Sequence, residues 1–133
     1  MKKSKPRVTG LGGIFFKTRN TKKLQAWYKS HLGLPLDPVW GGCSFEWRDA
    51  KNPKKKGATI WSAFEAKTKY FGRGRQSFMI NYRVADLKKV LGQLKREGVW
   101  VDPRTEESEF GNFGWIKDGE GNRLELWEPP RQT

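Results

Sequence analysis

Two stretches of this chain repeat one another, and that repeat restricts its architecture more than any other feature. Residues 13–28, GIFFKTRNTKKLQAWY, lie over residues 79–94, MINYRVADLKKVLGQL. Ile14 meets Ile80, Lys17 meets Arg83, Asn20 meets Asp86, Lys22-Lys23 meets Lys88-Lys89, Leu24 meets Val90, and Tyr28 meets Leu94. Identities are few, so the match rests on pattern. Each copy reads as strand, turn, amphipathic helix and glycine stop. Asn20 and Asp86 suit the helix N-cap, where a short side-chain oxygen satisfies an unpaired amide. Leu24, Trp27, Tyr28 and His31 or Leu32 fall at helical spacing in the first copy, and Leu87, Val90, Leu91 and Leu94 do so in the second. Gly33 and Gly98 stand where a helix ends in a left-handed residue.

Shorter strand-like runs follow each helix. They are CSFEWR (43–48) and ATIWSAF (58–64) in the first half, and WVDP (100–103), GNFGWIK (111–117) and NRLELWE (122–128) in the second. The pattern predicts an α+β chain in which each half is βα followed by about three strands. We read 1–7 as a basic tail and 8–130 as a single domain. Its first module covers about 8–66, a polar, glycine-containing linker about 67–77, and its second module about 78–130. The helix of such a module protects one sheet face, so the other face meets its twin or a ligand.

Composition limits the function classes. Aromatic residues make up 14% of the 133, including seven Trp and eight Phe, which argues for a packed core despite the charge. No apolar run approaches the roughly 18 residues of a membrane span, and the basic start leads into no apolar signal region; a cytoplasmic protein is the expectation. A single cysteine, Cys43, cannot form an internal disulfide or a multi-cysteine metal site. Net charge is +13 and favours acidic ligands or polyanions. That charge is scattered over the tail, the KNPKKKG loop (51–57) and helix faces, so nucleic-acid binding stands as an alternative only. The fragment YFGRGRQ (70–76) resembles one copy of an arginine–glycine RNA-binding segment. No phosphate-cradling loop of the strand–GxxxxGK–helix kind is present, and without a suitable histidine no Ser-His-Asp set can form.

The stretches AWYKSHLGL (26–34), V-x-D-L in the second copy, and the ending DGEGNRLELWEPP resemble the vicinal oxygen chelate superfamily, over about Val8 to Pro129. That superfamily includes glyoxalase I, extradiol dioxygenases and bleomycin-resistance proteins. The resemblance implies two βαβββ modules forming a curved, mostly antiparallel sheet whose concave side holds the ligand. It also implies modules paired within one chain or between two, so a homodimer is a further expectation. In the metal-using members, four positions on the concave side carry histidine or glutamate, side chains suited to divalent ions. Here those positions fall on Gly13, Met79, Trp61 or Ser62, and Glu125; only the last keeps the expected type. The one histidine, His31, lies on a helix, where packing or capping is its ordinary role. A lone carboxylate is a poor cage for zinc, nickel or iron, which argues against glyoxalase I and dioxygenase chemistry. A +13 chain also lacks the acidic groove that a cationic drug would prefer, which argues against bleomycin sequestration.

Period two then assigns the concave face. Gly13, Phe15 and Lys17 come from the first strand, and Met79, Asn81 and Arg83 from its repeat. Arg123, Glu125 and Trp127 come from the last strand, Phe113 and Trp115 from the one before it, and Trp61 with Ala63, or Ser62, from ATIWSAF. The expected ligand-binding set is therefore Phe15, Trp61, Ser62, Met79, Asn81, Phe113, Trp115, Glu125 and Trp127, with no metal. The expected ligand is a small neutral or anionic organic molecule. Glu125 is its polar anchor and the candidate catalytic group, since burial of a carboxyl suits a general base. A salt bridge to Arg83 or Arg123 would make Glu125 structural instead. The alternative is a metal-dependent lyase or dioxygenase in which zinc, nickel or iron engages Glu125 together with Glu46 or Glu65.

Overall fold

The computed structural model describes residues 7–131. Its elements run β1 (Val8–Thr18), α1 (Thr21–Leu32), β2 (Cys43–Arg48), β3 (Lys56–Glu65), β4 (Phe78–Val84), α2 (Leu87–Arg96), β5 (Val101–Ser108), β6 (Gly111–Lys117) and β7 (Arg123–Glu128). The chain is thus α+β, with parallel and antiparallel strand pairs. It divides into two compact units, one of Gly12–Ile80 and one formed by the chain up to Leu11 and from Asn81 onward. Apart from Arg7, whose guanidinium meets Glu97 at 2.5 Å, the basic tail of 1–7 lies outside the described residues. None of the described helices is long and apolar enough to cross a membrane.

Both helices start and stop where short-range chemistry dictates. The Asn20 side chain accepts a hydrogen bond from the Lys23 amide at 3.0 Å, and Asp86 accepts one from the Lys89 amide at 3.1 Å. Gly33 at φ 67° and Gly98 at φ 81° then turn the chain left-handed. The amides that follow, on Leu34 and Val99, return to the carbonyls of Tyr28 and Leu94.

In the unit Gly12–Ile80 the strands lie in the order β2-β3-β1, with β2–β3 antiparallel and β1–β3 parallel. Two strands follow α1, where the repeat led us to expect three. The intervening residues 34–42 contain Pro35 and Pro38, which cannot donate to a ladder. Asp37 further ties the Val39 and Trp40 amides into a turn. Helix α1 buries no residue fully, and it touches the sheet mainly through Tyr28, whose ring lies 5.0 Å from Trp61 and 6.3 Å from Phe16. Leu32 and Trp27 stay largely exposed, and His31 sits against Trp27. Cys43 is buried, and burial pushes its thiol up, which makes it a packing residue.

In the other unit the order is β4-β7-β6-β5, with β4–β7 parallel and the remaining pairs antiparallel. Helix α2 covers one face. Leu87, Val90 and Leu91 pack with Val84 and Leu126, and Tyr82, Ile116 and Leu124 complete this core. Edge strand β5 carries Pro103 where its register with β6 slips between Val101 and Thr105, a place where a missing amide costs no ladder bond.

Candidate ligand site

Because alternate residues of β4, β6 and β7 fill the α2 core, their neighbours in sequence emerge together on the opposite, helix-free face. Pairing of Asn81 with Glu125 and of Arg83 with Trp127 sets β4 beside β7. Pairing of Phe113 with Trp127 and of Trp115 with Glu125 adds β6. Glu125 is 1% exposed, Asn81 2% and Trp115 3%. A carboxylate this deep needs strong hydrogen-bond partners. The Asn81 amide donates to Glu125 Oε1 at 2.5 Å, and the Trp115 indole N–H donates to Glu125 Oε2 at 2.9 Å. Asn81 Oδ1 is also buried and has no hydrogen-bond partner among the described residues.

Cations and rings surround this trio. The Arg123 guanidinium lies 5.3 Å from the Trp115 ring and bonds Asp102 at 2.9 Å. Burial alone would raise the Asp102 carboxyl, but the Arg104 amide and the Arg123 guanidinium outweigh it and hold it below the usual carboxylate range. Arg83 lies 5.6 Å from the Trp127 ring, and desolvation draws its guanidinium down. Trp127 stacks on Phe113, with centroids 6.1 Å apart and planes 4° from parallel, and its indole N–H donates to the Phe110 carbonyl.

In the unit Gly12–Ile80 the parallel register sets Trp61 and Ser62 on opposite faces. Phe15 pairs with Ser62, and Lys17 with Phe64, on the face away from α1. Ile14 pairs with Trp61, whose ring packs on Phe16 and Tyr28. Trp61 therefore stands on the side of the sheet that carries Tyr28 of α1. Sequence pattern alone left the phase of β3 open, because this strand carries apolar residues on both faces. Met79 is buried within β4. At Gly13, an added Cβ would come within 2.8 Å of the Phe15 ring, so the space of a side chain there is already filled.

The side chains at the four positions that the resemblance assigns to metal ligands differ from the histidine and glutamate expected there. Glycine, methionine and serine stand at three of the four positions, and both oxygens of the fourth accept N–H bonds. Glu65, one of the acids offered as a substitute, accepts from the Thr21 hydroxyl at the start of α1. Among the described residues no group of three or more His, Cys, Asp or Glu side chains could hold an ion.

Several contributors were not foreseen. Asp102 was read only as part of a strand, although its acid so close to an edge proline was a signal. In the unit Gly12–Ile80, the sequence pattern also did not single out the cluster of Phe64 with Tyr70 and Phe71. Phe71 is 1% exposed and packs on Phe64, which also meets Phe15 at 5.5 Å and stacks with Tyr70.

No family model matches the chain, and no curated protein matches it. Solved structures do. Methylmalonyl-CoA epimerase from Mycobacterium tuberculosis is 19% identical with a TM-score of 0.63, over 98% of this chain and 94% of that one. Streptomyces coelicolor methylmalonyl-CoA epimerase in complex with 2-nitronate-propionyl-CoA is 15% identical with a TM-score of 0.64, over 90% and 96%. A protein described as an NAD-dependent benzaldehyde dehydrogenase from Legionella pneumophila is also similar, at 12% identity and a TM-score of 0.55, over 86% and 96%. Such distant likenesses with different named activities establish the fold alone. The chain shares the glyoxalase-like fold of these structures.

Proposed function

We propose that this chain binds a small anionic acyl compound of the CoA-thioester class, with Glu125 as the polar anchor and without the superfamily's divalent metal. The observation that carries the reading is the buried Asn81–Glu125–Trp115 network. A carboxylate held by two neutral N–H donors amid rings is a costly arrangement for packing alone. Beside the carboxylate, Asn81 Oδ1 remains an acceptor. Together they can accept hydrogen bonds from a ligand or take up a proton from it. Trp115, Phe113 and Trp127 offer aromatic walls, as small-molecule sites do. The +13 charge suits an anionic ligand, and several structures of the same fold are described as epimerases in complex with CoA compounds.

Titration of the purified protein with propionyl-pantetheine and propionyl-CoA, followed by calorimetry and tryptophan fluorescence, tests this. Saturable binding that survives EDTA and weakens about tenfold or more in Glu125→Gln is expected, since one charge-assisted hydrogen bond is worth about that factor. Stoichiometric copurifying metal, loss of binding in EDTA, or unchanged binding by a folded Glu125→Gln variant would overturn it.

A further inference from the structure

Helix α2 carries a glycine whose smallness no neighbour requires. Gly92 stands inside Leu87–Arg96, where glycine is a poorer helix former than any residue but proline. A Cβ built there would meet nothing closer than Arg96 Nη1 at 3.7 Å. Gly114, beneath the same helix, is different, because its Cβ would crowd Leu91 at 3.0 Å. Packing accounts for Gly114 and not for Gly92. What Gly92 borders is a groove of about 480 Å³ between α2 and strands β5 and β6, with Leu87 and Leu91 as its apolar floor. The groove lies on the α2 side of the sheet, opposite Glu125 and Trp115, and does not depend on the acyl reading.

Its two ends carry opposite charge. Glu107, Asn112 and Glu128 stand in a row across β5, β6 and β7. Glu128 accepts the Leu87 amide at 2.8 Å and the Asn112 amide at 3.4 Å, which fixes this row at the start of α2. Asp86 adds a third acid there, against the single cation of Lys88. Lys95 borders the groove about 12 Å further along the helix axis from Leu87, and its side chain tilts back toward the helix start. Among the described residues the Glu107 and Lys95 side chains have no hydrogen-bond or ion-pair partner. We propose that this groove binds a linear aliphatic zwitterion of the ω-amino acid class. Its ammonium meets Glu107 and Glu128, its alkyl chain lies over Leu87, Leu91 and the bare backbone of Gly92, and its carboxylate meets Lys95. A site for a simple amine has no use for Lys95, and a site for a simple acid would not be bordered by three carboxylates.

6-Aminohexanoate, hexylamine and hexanoate test this by calorimetry and by the Gly92 and Thr105 amide shifts in a nitrogen–proton spectrum. We expect the full-length protein to bind the zwitterion saturably and each singly charged analogue about tenfold or more weakly, since each end supplies a charge-assisted contact. Glu107→Gln and Lys95→Gln should each weaken the zwitterion by a similar factor, and Gly92→Leu should abolish its binding. Gly92→Ala should raise the urea midpoint, because a better helix former enters open space. A lowered midpoint would show that packing needs the glycine and would overturn the inference. No saturable binding of 6-aminohexanoate, equal affinity for hexylamine or hexanoate, or unchanged binding by Glu107→Gln or Gly92→Leu would overturn it as well.

Discussion

Replacing Glu125 offers the sharpest test of the buried network, because two replacements predict different outcomes. In Glu125→Ala the Asn81 amide and the Trp115 indole both lose their acceptor. Each stranded donor costs about 1–3 kcal/mol, and the lost side-chain volume adds a cavity. Removing a buried charge recovers part of its desolvation, so the net cost should be about 2–4 kcal/mol. Glu125→Gln keeps the shape. Its carbonyl can accept from Trp115, and its amide can donate to Asn81 Oδ1 if the Asn81 amide turns over, using the acceptor that is otherwise unpartnered. Two charge-assisted bonds become neutral ones, a loss offset by easier burial, and the change should stay within about 1 kcal/mol. Urea unfolding followed by tryptophan fluorescence measures both, and the Trp115 indole resonance in a nitrogen–proton spectrum reports whether its bond persists. Equal destabilisation by Gln and Ala would refute the turned-over amide. A harmless Ala variant would refute the structural weight assigned to the network.

The two helix caps and one acid allow further tests. Asp86→Ala and Asn20→Ala should each cost their helix about 1 kcal/mol. Helix α2 is packed into the core while α1 buries no residue. Asp86→Ala should therefore lower the global urea midpoint, and Asn20→Ala should instead accelerate amide exchange within α1. Asp102 is held below its unfolded value of about 3.9. Its contribution is therefore present above that value and disappears as pH falls through the folded one. Acid titration of stability should show a smaller decline below about pH 4 in Asp102→Asn than in the wild type.

Local chemistry determined a large share of this protein. Asn20, Asp86, Gly33 and Gly98 mark helix ends by hydrogen bonds and backbone conformations that span a few residues. CSFEWR and GNFGWIK form strands over those same residues, because turn residues bound them closely. Period two within β4, β6 and β7 placed Asn81, Trp115 and Glu125 on one face. What period two cannot give is phase against a neighbour. Trp61 and Ser62 alternate equally well on paper, and only the parallel pairing of β3 with β1 put Trp61 under α1 and Ser62 beside Phe15. Nor could pattern supply the partners of Glu125, since Asn81 stands 44 residues away and reaches it only through the β4–β7 register. Phe71 gave no signal at all: its neighbours are polar and glycine-rich, and its burial depends on where the chain returns over Phe64 and Lys17. Caps, turns and alternation are settled by a few adjacent residues. Register, long-range hydrogen bonds and the burial of a loop residue are settled only when distant segments meet.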